Sequence, residues 1–424
     1  MSAALPPVPV GRARRPSRAV VVSVLLVCAA VACGAWAVVV ASSRPVPQLR
    51  TTGPGGSSGR GSGTGGGTAG ASGGAAGAAV PAVDLVSDPV FVTMRTGFAL
   101  ETTDRNSLTV ERLARSDDAG RSWYVTGAPF PVAGDFTTLQ FISAEDGYVF
   151  GPAGLLVTSD GGSRWSQIVT LGGTLQRAIP IHRNVWATFT KCAGAPGVAE
   201  PCPVGVAISL DGGLHWRDVT DPPITEAPSP EGGDILARYS LDTAYVVSYG
   251  SSGGGLAVTE DEGLTWQRLA DPCSGAWAQV DLAATPFGQL WLVCGAEVTP
   301  GSKVQPKVAY RSFDGGRTWR LMASSGFAPG APAPVGDLPL SGEVSQLATI
   351  TGDRAWLGVG GLGVLVTFDS GRTWELADGF PAAGLRAASV GVTFNNPLDG
   401  WAIGFRQGVW ETTDAIHWSL LDGG

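Results

Sequence analysis

Seven stretches of the chain set an aspartate among a hydroxyl, glycine and tryptophan at nearly fixed spacing. They read SDDAGRSW (116–123), TSDGGSRW (158–165), SLDGGLHW (209–216), TEDEGLTW (259–266), SFDGGRTW (312–319), TFDSGRTW (367–374) and a shortened TTDAIHW (412–418). Carboxylates beside hydroxyls could serve acid–base chemistry or hold a hard cation. Seven copies of one catalytic site in one chain would be odd, whereas a repeated turn needs the same residues for geometry. The aspartate accepts backbone N–H groups across a turn, the glycine takes positive φ, and the tryptophan covers the hairpin. The boxes are therefore read as structural, through Asp118, Gly120, Trp123, Asp160, Gly162, Trp165, Asp211, Gly213, Trp216, Asp261, Gly263 and Trp266. The same role falls to Asp314, Gly316, Trp319, Asp369, Gly371, Trp374, Asp414 and Trp418.

Stepping from tryptophan to tryptophan covers 42 to 55 residues, the length of a four-stranded propeller blade. A second marker precedes each box, an aromatic after a short turn: Phe98, Tyr148, Trp186, Tyr245, Trp291, Trp356 and Trp401. Runs such as LLVTS and VGVAIS before the boxes are apolar on both faces, as strands between stacked sheets must be. Each repeat thus reads as strand A, a tight turn, strand B, a variable loop, strand C, the box as a turn, and strand D. The expected fold is all-β, a seven-bladed propeller over residues 81–424.

Residues 1–80 hold seven arginines and no acid, which leaves 28 − 7 = 21 basic against 36 acidic residues in the remainder. That acidic balance excludes a nucleic-acid binder, which needs a basic face. After the basic tail 1–18, the apolar residues 19–41 are long enough to cross a bilayer and predict a signal anchor. Cleavage near Ala41 and lipid attachment at Cys33 are the alternatives. Residues 42–80, rich in Gly, Ser, Thr and Ala, predict a flexible linker with a reach of roughly 30–35 Å. The expected location is a single-pass cell-membrane protein with its C-terminal domain extracytoplasmic. Of the four cysteines beyond the anchor, the pairings favoured among the three possible are Cys192–Cys202 and Cys273–Cys294.

Other motifs carry less. GVGGLG (358–363) is followed by a strand rather than a phosphate-binding helix and reads as a hairpin turn. The Gly-x-Ser-x-Gly matches in 55–59 and 250–254 sit on no strand-to-helix elbow. His182, His215 and His417 do not cluster, and no metal or cofactor is expected. Spacing variation falls in the B–C and D–A connections, which share one face of an up-and-down blade. Loops on a rigid scaffold carry binding, so the candidates are 190–204, 221–233, 295–307 and 324–342. Lys191, Lys303 and Lys307, the three lysines of the chain, would form a basic spot there, with Tyr249 as a further contact.

The boxes resemble the Asp-box, or BNR, repeats of sialidases, sortilin-type receptors and some glycosidases. Combined with the DGY and DGW strand-B turns at 146–148 and 399–401, they look most like the photosystem II stability/assembly factor family. That resemblance implies a non-enzymatic platform for a protein partner, here held at the membrane. The sialidase branch implies an arginine triad and an (F/Y)RIP stretch ahead of the first box. RAIP (177–180) follows the second box instead, and no triad aligns. The expected function is a membrane-anchored protein-binding scaffold; the alternative is a glycan-binding protein or sialidase-like glycoside hydrolase.

Overall fold

The computed structural model describes residues 84–421, except 86–88, 103–111, 128, 132–137, 152–153, 169–172, 192–201, 227–231, 251–253, 275–276, 286, 299–302, 327–334, 388 and 405–406. Its strands form seven antiparallel sheets, each built from one contiguous stretch of chain in the order A-B-C-D. The seven sheets are blades of a propeller.

Strands A line the centre: Thr138–Phe141, Thr174–Ile181, Gly232–Arg238, Trp277–Thr285, Glu343–Thr349 and Val390–Phe394 in blades 2 to 7. In blade 1 this strand comes as two pieces, Asp84–Leu85 and Val90–Phe91, both paired with Gly97–Thr102. Strands B are the most buried, as in Ala355–Gly360 and Gly400–Gly404, where every residue is inside. Most strands D are short, as in Arg217–Asp218, which is exposed, and Glu375–Leu376, and so leave little outer edge for unwanted pairing; Arg320–Ser324 of blade 5 is longer and mostly buried. One pairing has no sequence signal. Thr225–Glu226, in the connection leaving blade 3, returns to pair with Cys202 and Pro203 of its strand C.

The core is divided among the seams between blades. Seven apolar clusters occupy seven seams, and the last joins Trp401 and Val409 of blade 7 to Phe91 of blade 1, so the ring closes. The strand-B aromatics explain why each seam is tight. Most reach toward the box of the following blade: Trp356 Nε1 donates to the Ala415 carbonyl at 3.1 Å and Trp401 Nε1 to that of Ala119 at 3.2 Å, while Phe98 stacks on Phe141 of the next strand A. A Cβ on Gly213 would meet the Tyr148 ring at 2.7 Å, and one on Gly371 would meet Trp291 at 2.7 Å. The two sequence markers are therefore partners across a seam rather than within a blade.

The expectations of a transmembrane helix and a Gly-rich linker in the fold are corrected here. Among the described residues no helix is long and apolar enough to cross a membrane. Segments 19–41 and 42–80 lie outside the described residues. Membrane anchoring is accordingly dropped from fold, partner, function and location alike.

Candidate functional site

The boxes behave as fasteners. In blade 5 the Ser312 hydroxyl donates to Asp314 Oδ1 at 2.8 Å and accepts the Gly316 amide at 2.7 Å. Asp314 then accepts the Thr318 amide at 2.8 Å and the Thr318 hydroxyl at 2.7 Å. His215 and His417 replace that second hydroxyl in blades 3 and 7, each with Nδ1 at 2.6 Å from the box aspartate. Two of the three histidines singled out in the sequence thus complete box turns. In blades 1 to 6 both residues after the aspartate turn left-handed, as Gly315 (φ 72°) and Gly316 (φ 81°) show, and in the shortened box of blade 7 Ala415 alone does. Among the described residues no group of three His, Cys, Asp or Glu side chains is placed to hold a metal ion.

The three lysines do not come together. Lys307 is fully buried, and its ammonium donates to the carbonyls of Gln305, Pro339, Leu340 and Ser341 at 2.8 to 3.2 Å. Burial pulls its pKa down to about 7, opposed by Glu343. Its work is to pin the connection into blade 6, so it offers no charge to a ligand. Lys191 pairs with Asp221 at 2.7 Å and lies over the Phe189 ring. Lys303 is exposed. The bridge Cys273–Cys294 forms, with Cα atoms 5.8 Å apart, and ties the connection entering blade 5 to its strand B. Cys202 is also disulfide-bonded; Cys192 lies outside the described residues.

Tyr249 does reach a site. It lines a cavity of about 340 Å³ on the propeller axis, bounded by strands A of all seven blades. The lining residues fall mainly in the first halves of those strands, toward the end where B–C and D–A loops gather. Three strands A carry a β-bulge there, between Leu175 and Arg177, Trp277 and Gln279, and Val344 and Gln346. A bulge re-aims the side chain that follows it. The residues after the three bulges, Arg177, Gln279 and Gln346, all line the cavity. Gln140, Asp281, Ser345 and Thr393 add further polar groups.

Much of this polar lining also joins neighbouring blades. Asp281 Oδ2 accepts the Leu347 amide at 2.6 Å and its Oδ1 the Leu282 amide at 2.9 Å. Burial pushes Asp281 upward, and Arg177 and the two amides oppose that shift. Gln346 Oε1 accepts the Val392 amide at 2.9 Å, Ser345 Oγ accepts that of Val390 at 3.2 Å, and Gln279 Oε1 accepts Gln305 Nε2 at 2.6 Å. An innermost strand has no further strand to pair with, and Asp281, Ser345 and Gln346 satisfy its neighbour's free amides. Arg177 is different. Its Nε is buried with no hydrogen-bond partner. In the sequence Arg177 stands in an RAIP stretch out of place for the sialidase motif, and only the bulge and the ring bring it to the axis. The arginine triad of the sialidase reading is not assembled, since among the described residues Arg177 is the arginine of this cavity.

Comparison with known proteins agrees with this architecture. The chain is a seven-bladed Asp-box propeller. It superposes on YCF48 bound to D1 peptide with a TM-score of 0.51 and 18% identity, covering 79% of this chain and 95% of that one. YCF48 from Cyanidioschyzon merolae gives 0.51 and 14%, over 79% and 97%. An ancestral GH74 enzyme gives 0.55 and 16%, over 80% of this chain and 46% of that one. By sequence, a Paenibacillus sp xyloglucanase is 27% identical over 270 residues, 55% of this chain. The chain spans only 25% of that xyloglucanase's length. No family model matches the sequence.

Proposed function

We propose that the protein binds saccharides in the axial cavity. One observation carries this reading: three bulges turn Arg177, Gln279 and Gln346 into a single polar cavity with Tyr249 among its lining residues. Amide and guanidinium groups suit the paired hydroxyls of a sugar ring, and a tyrosine supplies an apolar face for its C–H groups. The volume of about 340 Å³ fits a sugar unit or two, at the small end of ligand cavities. The likeness to a xyloglucanase supports a carbohydrate ligand.

Binding, rather than hydrolysis, is what the cavity supports. Glycoside cleavage ordinarily needs two carboxyl groups flanking the bond. Among the described residues the cavity offers Asp281, whose two oxygens both accept backbone amides.

The test is calorimetric titration of the protein with neutral and acidic oligosaccharides chosen from a glycan array. Tyr249→Ala should weaken the best ligand about tenfold or more, roughly 1.4 kcal/mol, at an unchanged far-ultraviolet circular dichroism spectrum. Absence of binding to any glycan at millimolar concentration would remove the proposal.

A further inference from the structure

We infer that the saccharide taken by this cavity carries a carboxylate, gripped by Arg177. The inference rests on the saccharide reading above and names its ligand class. A guanidinium has five donors and cannot shed its charge inside a protein. Arg238 and Arg311, more buried than Arg177, are put to use within the chain, although the Nε of each is likewise unpartnered. Arg238 donates to the Ile179 carbonyl at 3.1 Å and to Asn184 Oδ1 at 2.9 Å, and stacks over Trp186. Arg311 donates to Gln289 Oε1 at 2.9 Å and lies over Trp291. Arg177 has neither kind of partner among the described residues, although a bulge aims it at the axis.

Asp281 offsets part of the Arg177 charge, but without direct contact. No ion pair joins them within 4.0 Å, and both Asp281 oxygens face backbone amides. The residues in the corresponding post-bulge places are engaged, Gln279 with Gln305 and Gln346 with the Val392 amide. What the cavity lacks is a planar anion opposite one fixed guanidinium, with hydroxyls beside it for the Gln140 and Gln346 amides. A carboxylate matches the fork of an arginine through two parallel hydrogen bonds. A sugar acid, such as a uronate within an oligosaccharide, unites that carboxylate with ring hydroxyls.

The experiment titrates the full chain with tri-galacturonate and, separately, with a neutral xyloglucan heptasaccharide, for the wild type, Arg177→Gln and Arg177→Lys. The wild type should prefer the uronate by about tenfold or more, and Arg177→Gln should weaken the uronate about tenfold more than it weakens the neutral sugar, so that the preference is lost. Arg177→Lys, which keeps charge but not the fork, should fall between them. Raising salt from about 0.05 to 0.5 M should shrink the wild-type preference. That salt series, with acetate as competitor, decides the matter on wild type should Arg177→Gln not fold. Equal affinity for both sugars, unchanged by Arg177→Gln or salt, overturns the carboxylate inference and leaves saccharide binding standing. Failure of the wild type to bind either sugar overturns the carboxylate inference, and failure to bind any glycan of the array overturns both, as does Arg177-dependent binding of an acidic peptide in their place.

Discussion

Asp314 shows how a box aspartate acts. The Thr318 hydroxyl and then the Thr318 amide are the main groups that hold its pKa down to about 2. Asp211 also sits at about 2: desolvation raises it, but the His215 amide and ring and the Ser209 hydroxyl outweigh that. Asp118, Asp261, Asp369 and Asp414 are lowered as well. A carboxylate whose folded pKa lies below its unfolded value favours the folded state above that unfolded value, here 3.8. The benefit is lost as pH falls through the folded value. The box aspartates should therefore leave the melting midpoint unchanged from neutral pH to about 4.5 and make it drop between about pH 4 and 2, as calorimetry across that range would show. Asp314→Asn should lower the midpoint at neutral pH and flatten the acid slope. A midpoint indifferent to pH between 5 and 2 would mean that the boxes do not bear on stability. At this scale the sequence was informative because seven repeats reveal which positions matter to a turn. It was silent on Lys307 and Arg177, since a buried lysine held by four carbonyls and an arginine after a bulge have no local signature.

The strands and turns were legible for a related reason. Alternation, paired apolar runs and the box-to-box period all arise from short-range geometry that each blade repeats. Bulges arise otherwise. The residues skipped at the three inner bulges are Gln176, Ala278 and Ser345, which share neither size nor polarity, so nothing local announces them. The box turns invite a paired test at adjacent positions. Gly371 has φ 90°, and a Cβ there would strike the Trp291 ring at 2.7 Å. Gly371→Ala should cost about 2–4 kcal/mol, from left-handed backbone and overpacking together. Ser370, one residue earlier, already holds φ 68° with a side chain. Ser370→Gly relieves about 1–2 kcal/mol of that conformation against about 0.5–1 kcal/mol of added chain entropy, for a gain of up to about 1.5 kcal/mol. Urea unfolding midpoints should move in opposite directions for the two variants. A shared direction would show that contact with the neighbouring blade, not backbone handedness, governs the turn.

Across the whole molecule, one seam differs from the other six. Blades 1 to 7 follow in chain order, so a D–A connection crosses each seam except that between blades 7 and 1. Closure there depends on side chains: Phe91 stacks on Trp401 at 3.9 Å, Trp401 donates to the Ala119 carbonyl at 3.2 Å, and Arg121 pairs with Glu411. A cavity of about 390 Å³ lies beside these contacts. The seam between blades 6 and 7 uses a similar device, Trp356 donating to Ala415 at 3.1 Å, but the segment 377–389 crosses it as well. Truncating either tryptophan to alanine removes a buried indole and should cost about 3–5 kcal/mol. The consequences should differ, because blades parted at the 6/7 seam stay tethered at short range, whereas those parted at the 7/1 seam are joined only through the rest of the chain. Reclosure then carries a larger entropic penalty, growing with the length of the loop to be closed. Native-state hydrogen exchange should show Trp401→Ala stripping protection from blades 1 and 7 well below the global unfolding free energy. Trp356→Ala should lower protection more evenly around the ring. If the two variants gave the same pattern, the ring would be opening as one cooperative unit, with no weak point where its ends meet.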